Sequence, residues 1–278
     1  MHWDAAALWQ QLEPLLPGLS VEVVARADST NTRLLERARH AGGVQPCLLV
    51  AEHQTHGRGR LGRDWHASLG ASLSFSLALP LAPRAWSGLS LAVGLALADA
   101  LEPLAGAAPP APLTPRIGLK WPNDLWLLDA PKTGPWGGRK LGGILIETLS
   151  VGERRLCVVG VGLNVAPQPD AGPSAGSACL QDLIPGISAP AALAAVAEAL
   201  VRGLLAFQDE GFAPLLARFA RRDLLAHQSV TTTAPGVPEG VAEGVDGHGA
   251  LRVRAGGVVH TLVSGEVSVR LQPAGAPC

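Results

Sequence analysis

Residues 57 to 63 read Gly57-Arg58-Gly59-Arg60-Leu61-Gly62-Arg63, with Trp65 just beyond. Glycines let a backbone approach a ligand closely and adopt positive φ. Arginines supply fixed forks of donors for phosphate or carboxylate oxygens. This composition predicts a flexible loop that closes over a polyanion such as a nucleotide or an acyl phosphate. The spacing Gly57-x-Gly59-x-x-Gly62 also matches the dinucleotide fingerprint. That motif needs a helix starting within it and an acidic residue about twenty positions later. Residues 72–79 instead alternate as a strand does, and no Asp or Glu lies between Asp64 and Asp99. The dinucleotide reading fails, and a Walker phosphate loop fails too, because no Gly-Lys-Ser/Thr follows.

Lys120-Trp121-Pro122-Asn123-Asp124 is the second chemical signal. A lysine at a strand end, positioned by an adjacent tryptophan, can meet a carboxylate or a phosphate. Asn123 and Asp124 offer oxygens to ribose, adenine or a hydrated Mg²⁺, although the same residues also make an ordinary turn. Asp28-Ser29-Thr30-Asn31 is the third signal, at a strand-to-helix junction. Any of these four can cap a helix, while its neighbours face a polar ligand head.

The elements that must carry these groups follow from periodicity. Helices are expected at residues 4–16, from Ser29 or Thr30 to His40, at 86–104, at 190–208 and at 212–225. Strands are expected at 21–27, 47–52, 72–79, 116–121, 125–128, 141–149 and 155–165. Pro131 to Gly138 and residues 166–178 read as exposed loops. After Ala226, five short β-rich runs alternate with glycine turns, which suggests a small barrel. The expected fold class is α+β, with a mixed, largely antiparallel sheet and helices in residues 1–225 and a β-barrel in 226–278.

The 278 residues are 47% hydrophobic and 16% charged, ample for a core and unlike a disordered chain. A formal net charge of −1 argues against a surface that grips nucleic acid throughout. Cys47, Cys157, Cys179 and Cys278 form no CxxC pair and no zinc spacing, which points to thiols in a reducing cytoplasm. The N-terminal residues lack the pattern of a signal peptide. The apolar run Leu89 to Leu101 contains Asp99 and is too short to span a bilayer.

Taken in order, the three motifs resemble the biotin–protein ligases (biotin–acetyl-CoA-carboxylase ligases). The resemblance also takes in Glu52 to Gln54, Lys140-Leu141-Gly142-Gly143-Ile144-Leu145-x-Glu147, Gly160-Val161-Gly162-Leu163-Asn164-Val165 and Ser264-Gly265-Glu266-Val267. It implies a catalytic domain like that of class II aminoacyl-tRNA synthetases and a terminal Src-homology-3-like barrel. The implied reaction makes biotinyl-5′-AMP from biotin and MgATP, then passes biotin to a lysine of biotin carboxyl carrier protein. By this similarity Ser29, Thr30, Asn31 and Gln54 would hold biotin's ureido head. Gly57, Arg58, Gly59 and Arg60 would fold over the valeryl chain and acyl phosphate, with Lys120 on the carboxylate and α-phosphate. Lys120, Arg58 and Arg60 are thus the implied catalytic groups. Arg60, Arg63, Trp65, Asn123, Asp124 and Asn164 would bind ATP or the adenylate, and Asp124 is a candidate Mg²⁺ ligand. Glu266 and Arg270 could face the mouth of the site.

About twenty residues precede the first catalytic strand, too few for the DNA-binding repressor domain of many relatives, so no sequence-specific DNA binding is expected. No membrane partner is expected, and a monomer or a homodimer fits equally. Two rivals stand: a lipoate or octanoate ligase or transferase of the same fold, and a non-enzymatic nucleic-acid-binding module. The segment 131–139, with Trp136, looks longer than the family's usual turn.

Overall fold

The computed structural model describes residues 1–106, 115–128, 138–168, 177–263 and 267–271. Helix α1 (Ala5–Leu12) is capped by Asp4 and buries Leu8 and Leu12. Strand β1 (Ser20–Ala27) runs parallel to β2 (Cys47–Gln54), and the crossover between them is helix α2 (Thr30–Ala41). The Ser29 hydroxyl accepts from the Thr32 amide to start α2, and Gly42 ends the helix at φ 62°, a left-handed cap that suits glycine. The chain then forms a lid, a ribbon of β3 (Gly57–Arg58) and β4 (Asp64–Trp65) around a single 3₁₀ turn.

Strands β5 (Ser72–Pro80), β6 (Ile117–Lys120), β7 (Asp124–Leu128), β8 (Gly138–Val151) and β9 (Arg154–Asn164) complete a seven-stranded sheet. Its order is β1-β2-β5-β9-β8-β7-β6, antiparallel throughout except for β1 with β2. Strand β5 shows why one sheet can serve two purposes. Alternate residues of a strand point to opposite faces. Leu73, Phe75, Leu77 and Leu79 join the main core, packed with helices α3 (Leu89–Leu101) and α4 (Ala189–Glu210). Ser72, Ser74 and Ser76 are buried on the opposite face, where α2 lies. Full burial of each large apolar side chain is worth roughly 1.5–3 kcal/mol, so stability comes from the leucine face and the serine face is left for polar chemistry.

Helix α4, rather than the shorter apolar α3, is long and apolar enough to cross a bilayer by length and composition. Its Leu193, Val196, Leu200, Val201, Leu204 and Phe207 are instead buried in the main core.

The expected helix at 212–225 forms only in part. A 3₁₀ turn at Ala213–Leu215 leads into α5 (Leu216–Ala220). Beyond it the chain extends to bridge β6, with the Leu119 amide donating to Arg222 O and the Leu224 amide to Leu119 O. The helices expected at 4–16 and 86–104 are also shorter, at Ala5–Leu12 and Leu89–Leu101.

The last unit comprises β10 (Ser229–Thr232), β11 (Glu239–Val245), β12 (Leu251–Ala255), β13 (Val258–Leu262) and β14 (Val269–Leu271). They form an antiparallel sheet in the order β13-β12-β11-β10-β14. Among the described residues its outer strands, β13 and β14, do not pair with one another. It docks where the fully buried Trp121 donates from Nε1 to Gly249 O at 3.1 Å. Glu266, Trp136 and most of the segments 131–139 and 166–178 lie outside the described residues.

Candidate active site

A cavity opens beneath the lid, over Gly160 and Gly162 of β9, and its two ends differ in chemistry. At one end Ser29, Thr30, Asn31 and Gln54 are each no more than 8% exposed. They sit at the start of α2 and the end of β2, which the parallel pairing brings side by side through Ala27 and Gln54. Gln54 Oε1 accepts from the Thr30 amide at 2.7 Å and from Thr30 Oγ1 at 3.0 Å. Ser76 Oγ lies 2.6 Å from both Thr30 Oγ1 and Asn31 Oδ1. Asn31 donates from Nδ2 to Glu147 Oε2 at 2.9 Å. The four side chains at this end are uncharged, buried and preorganised for hydrogen bonding, with a helix N-terminus aimed at them.

At the other end Arg60, Arg63, Lys120, Lys140 and Arg270 line the cavity with Asn123 and Asp124. Asp124 is the hub: Lys140 Nζ lies 2.8 Å from its Oδ1 and Lys120 Nζ 3.9 Å from its Oδ2. The turn carrying these residues contains a cis Trp121–Pro122 bond. Burial pushes the Lys120 ammonium below the usual lysine range. Asp124 opposes that shift, while Lys140, Arg63 and Arg270 add to it. Burial likewise lowers Arg60, again against Asp124. Cations this crowded are costly until an anion joins them.

The lid is fastened at several points. Arg60 donates to Asn123 Oδ1 at 3.4 Å and to Val267 O at 3.2 Å, and Arg63 donates to Ser268 Oγ at 2.9 Å. The last sheet therefore completes the site. Trp65 packs onto β9 at Gly162, where an added Cβ would fall 2.4 Å from the indole ring. Trp65 Nε1 and Ser74 Oγ are buried without a hydrogen-bond partner among the described residues. Such groups are costly unless a bound molecule satisfies them.

Ser29, Thr30, Asn31, Gln54, Arg58, Gly59, Arg60, Arg63, Trp65, Lys120, Asn123, Asp124 and Arg270 all line this cavity. Gly57 and Asn164 do not. Gly57 pairs with Trp65, whose carbonyl oxygen would lie 2.4 Å from a Cβ at that position. Asn164 is committed elsewhere: its Nδ2 donates to Ala178 O at 3.0 Å, and its Oδ1 accepts from Gln168. Arg58 reaches Glu147 rather than the cationic end. Lys140, Ser76 and Glu147 were not singled out from sequence. Lys140 and Glu147 bound the run that carries part of the family resemblance, and the one signal for Ser76 is the polar parity of β5.

Residues 23–164 match the biotin/lipoate A/B protein ligase family, and residues 228–270 match the biotin protein ligase C-terminal domain. The biotin–[acetyl-CoA-carboxylase] ligase of Mycobacterium tuberculosis is 37% identical over 272 residues, covering 95% of this chain and 90% of that protein. The bifunctional ligase/repressor BirA of Escherichia coli is 34% identical, over 94% of this chain and 77% of its own length. Among solved structures, the biotin protein ligase from Aquifex aeolicus in complex with biotin and ATP superposes with a TM-score of 0.73 at 26% identity. That match covers 91% of this chain and 99% of the other. Both lobes are matched, the relatives cover nearly the whole length, and the chain belongs to the biotin protein ligases of the biotin/lipoate A/B protein ligase family.

Proposed function

We propose that this chain activates biotin with ATP as biotinyl-5′-AMP and passes the biotinyl group to a lysine of a biotin carboxyl carrier protein. The observation that carries the reading is the polarity of the cavity: a buried, uncharged hydrogen-bonding end faces a cluster of cations around Asp124. Biotin has the matching form, with a neutral ureido group at one end and a carboxylate at the other. Lipoate, the rival, carries an apolar dithiolane that would leave Ser29, Asn31 and Gln54 facing a group unable to bond them. Sites built for hydrogen bonding discriminate strongly against such analogues.

In this reading Ser29, Thr30, Asn31 and Gln54 hold the ureido head, while Gly59 lets the lid lie close over the valeryl chain and Gly57 lets β3 pair closely with Trp65. Lys120, Lys140 and Arg60 receive the carboxylate and the α-phosphate. A carboxylate oxygen attacks the α-phosphorus, the bond to the β-phosphate oxygen breaks, and pyrophosphate leaves. Carboxylate and triphosphate repel each other, so fixed cations are needed before the bond forms, and they offset charge as it grows on phosphorus. In the second step the carrier amine attacks the acyl carbon, loses a proton, and AMP departs. Arg63, Trp65, Asn123 and Asp124 flank the nucleotide, and Asn164 braces the strand behind it. The lid excludes water from the mixed anhydride.

The described residues contain no group of three His, Cys, Asp or Glu around one point. Asp124 with the triphosphate oxygens suits a Mg²⁺ ion carried in on ATP, which takes only one or two carboxylates and lowers the net charge of the phosphates. The division of labour places catalysis in residues 1–225, with 226–278 closing the mouth. Dependence on ATP and free, buried Cys47, Cys157 and Cys179 favour a cytoplasmic setting.

Biotin-dependent exchange of pyrophosphate into ATP tests the proposal. Exchange should require biotin and ignore added DNA. Equal exchange with lipoate, or none with biotin, would sink it.

A further inference from the structure

Arg58 lies where the lid meets the uncharged end of the cavity. Its Nη2 is 3.1 Å from Glu147 Oε1, and its Nη1 donates to Thr32 Oγ1 at 3.3 Å. The same carboxylate accepts from Asn31 Nδ2 through Oε2 at 2.9 Å. Asn31 is in turn seated on Ser76 and on the backbone of β8, donating to Leu145 O at 3.2 Å. Glu147 stands beyond Gly143, the last β8 residue paired with β7 in that direction, so this edge of β8 is open to the lid. One carboxylate therefore joins a lid arginine to the innermost carboxamide of the head pocket.

We propose that Glu147 is a positioning residue, a clasp that holds the lid through Arg58 while Asn31 is in its seated position. The inference rests on the biotin ligase reading. Arg58 then acts through Glu147, and neutralisation of the acyl phosphate falls to Lys120, Lys140 and Arg60. Seating of the head group and retention of the adenylate become one event, because displacing Asn31 loosens the carboxylate that holds Arg58. The Arg58 side chain is 48% exposed and Glu147 23% exposed. An isolated pair so exposed would contribute little. Here the carboxylate also serves Asn31, and Arg58 also reaches Thr32 on α2, so the contacts act as a network.

The test is the rate at which preformed biotinyl-AMP leaves the parent enzyme, Arg58→Gln, Glu147→Gln and the double variant. Glu147→Gln keeps the shape and an acceptor for Asn31 while removing the charge. Each single change should speed release about three- to tenfold, and the double should be no faster than either, as coupled residues behave. Thermal unfolding of Glu147→Gln should match that of the parent, which excludes a general folding defect as the cause of faster release. Parental release from Glu147→Gln, or single effects that multiply in the double, would overturn the clasp and leave the ligase reading standing. A parent enzyme that forms no biotinyl-AMP from biotin and ATP would overturn the ligase reading and the clasp with it.

Discussion

The Asn31 carboxamide occupies the space in which residue 160 would otherwise carry a side chain: a Cβ on Gly160 would lie 2.3 Å from Asn31 Oδ1. Real Cβ atoms do not come so close, so the glycine is a steric condition for the head pocket. Gly160→Ala should displace Asn31 and weaken biotin binding about tenfold or more, since overpacking a tight site costs ~1–3 kcal/mol. Calorimetric titration with biotin and, separately, with ATP checks this. An unchanged biotin affinity would show that Asn31 does not hold the head group.

Lys120 should show opposite effects on stability and activity. Burial and three neighbouring cations lower its proton affinity in the unliganded protein, so the folded state carries a poorly solvated charge. Lys120→Met should raise the melting temperature of the free enzyme. It should also slow biotinyl-AMP formation about 10²–10³-fold, the usual loss for one preorganised donor. The sign of the pH effect follows. A lysine lowered on folding destabilises the fold while it is protonated, and that loss is recovered as pH rises through its folded value. Thermal melts with and without biotin plus ATP decide the matter; a less stable Lys120→Met protein would contradict it.

Arg60 ties the lid to Asn123 and to the carbonyl of Val267. Arg60→Gly should still form the adenylate, because Lys120 and Lys140 remain, yet release it early. Biotin should then appear on lysines of bystander proteins, scored by blotting a mixture of the carrier with an unrelated protein. Labelling confined to the carrier would count against a retaining role for Arg60.

Much of this site was legible in the sequence because its parts are local. Ser29 caps α2 whatever else it does, and the Gly57–Arg63 loop announces anion chemistry by composition alone. Lys120 and Asp124 share one short turn, so their proximity needed no tertiary information. Lys140 is different. It meets Asp124 only because β7 and β8 pair with a register shift near Trp126, a feature no local pattern encodes. Ser76 and Glu147 acquire meaning from the face they occupy, and a strand's polar parity tells only that two faces differ. The helix expected at 212–225 was overridden from outside: Leu119 on β6 claims the backbone of Arg222 and Leu224, and chain used in that bridge cannot continue a helix.

Asp223 lies inside that bridge and gives the junction between catalytic lobe and terminal sheet a pH dependence. Its Oδ1 accepts from the Leu225 amide at 2.9 Å. Burial raises its carboxyl from 3.8 to about 6, against the pull of the Leu225 and Ala226 amides and of nearby His227. A carboxyl that binds its proton more tightly when folded stabilises the fold at acid pH, and that contribution is lost as pH rises from about 4 to about 6. The full shift corresponds to roughly 3 kcal/mol. Asp223 is only partly buried, so on the order of 1–2 kcal/mol is the expected size after solvent screening. Asp223→Asn keeps an acceptor for the Leu225 amide and removes the titration. Urea unfolding across pH 4.5 to 7.5 should then show the variant gaining on the parent as pH rises, and exceeding it at neutral pH. Parallel pH profiles for the two proteins would mean that Asp223 is solvated enough to titrate as an ordinary surface carboxylate.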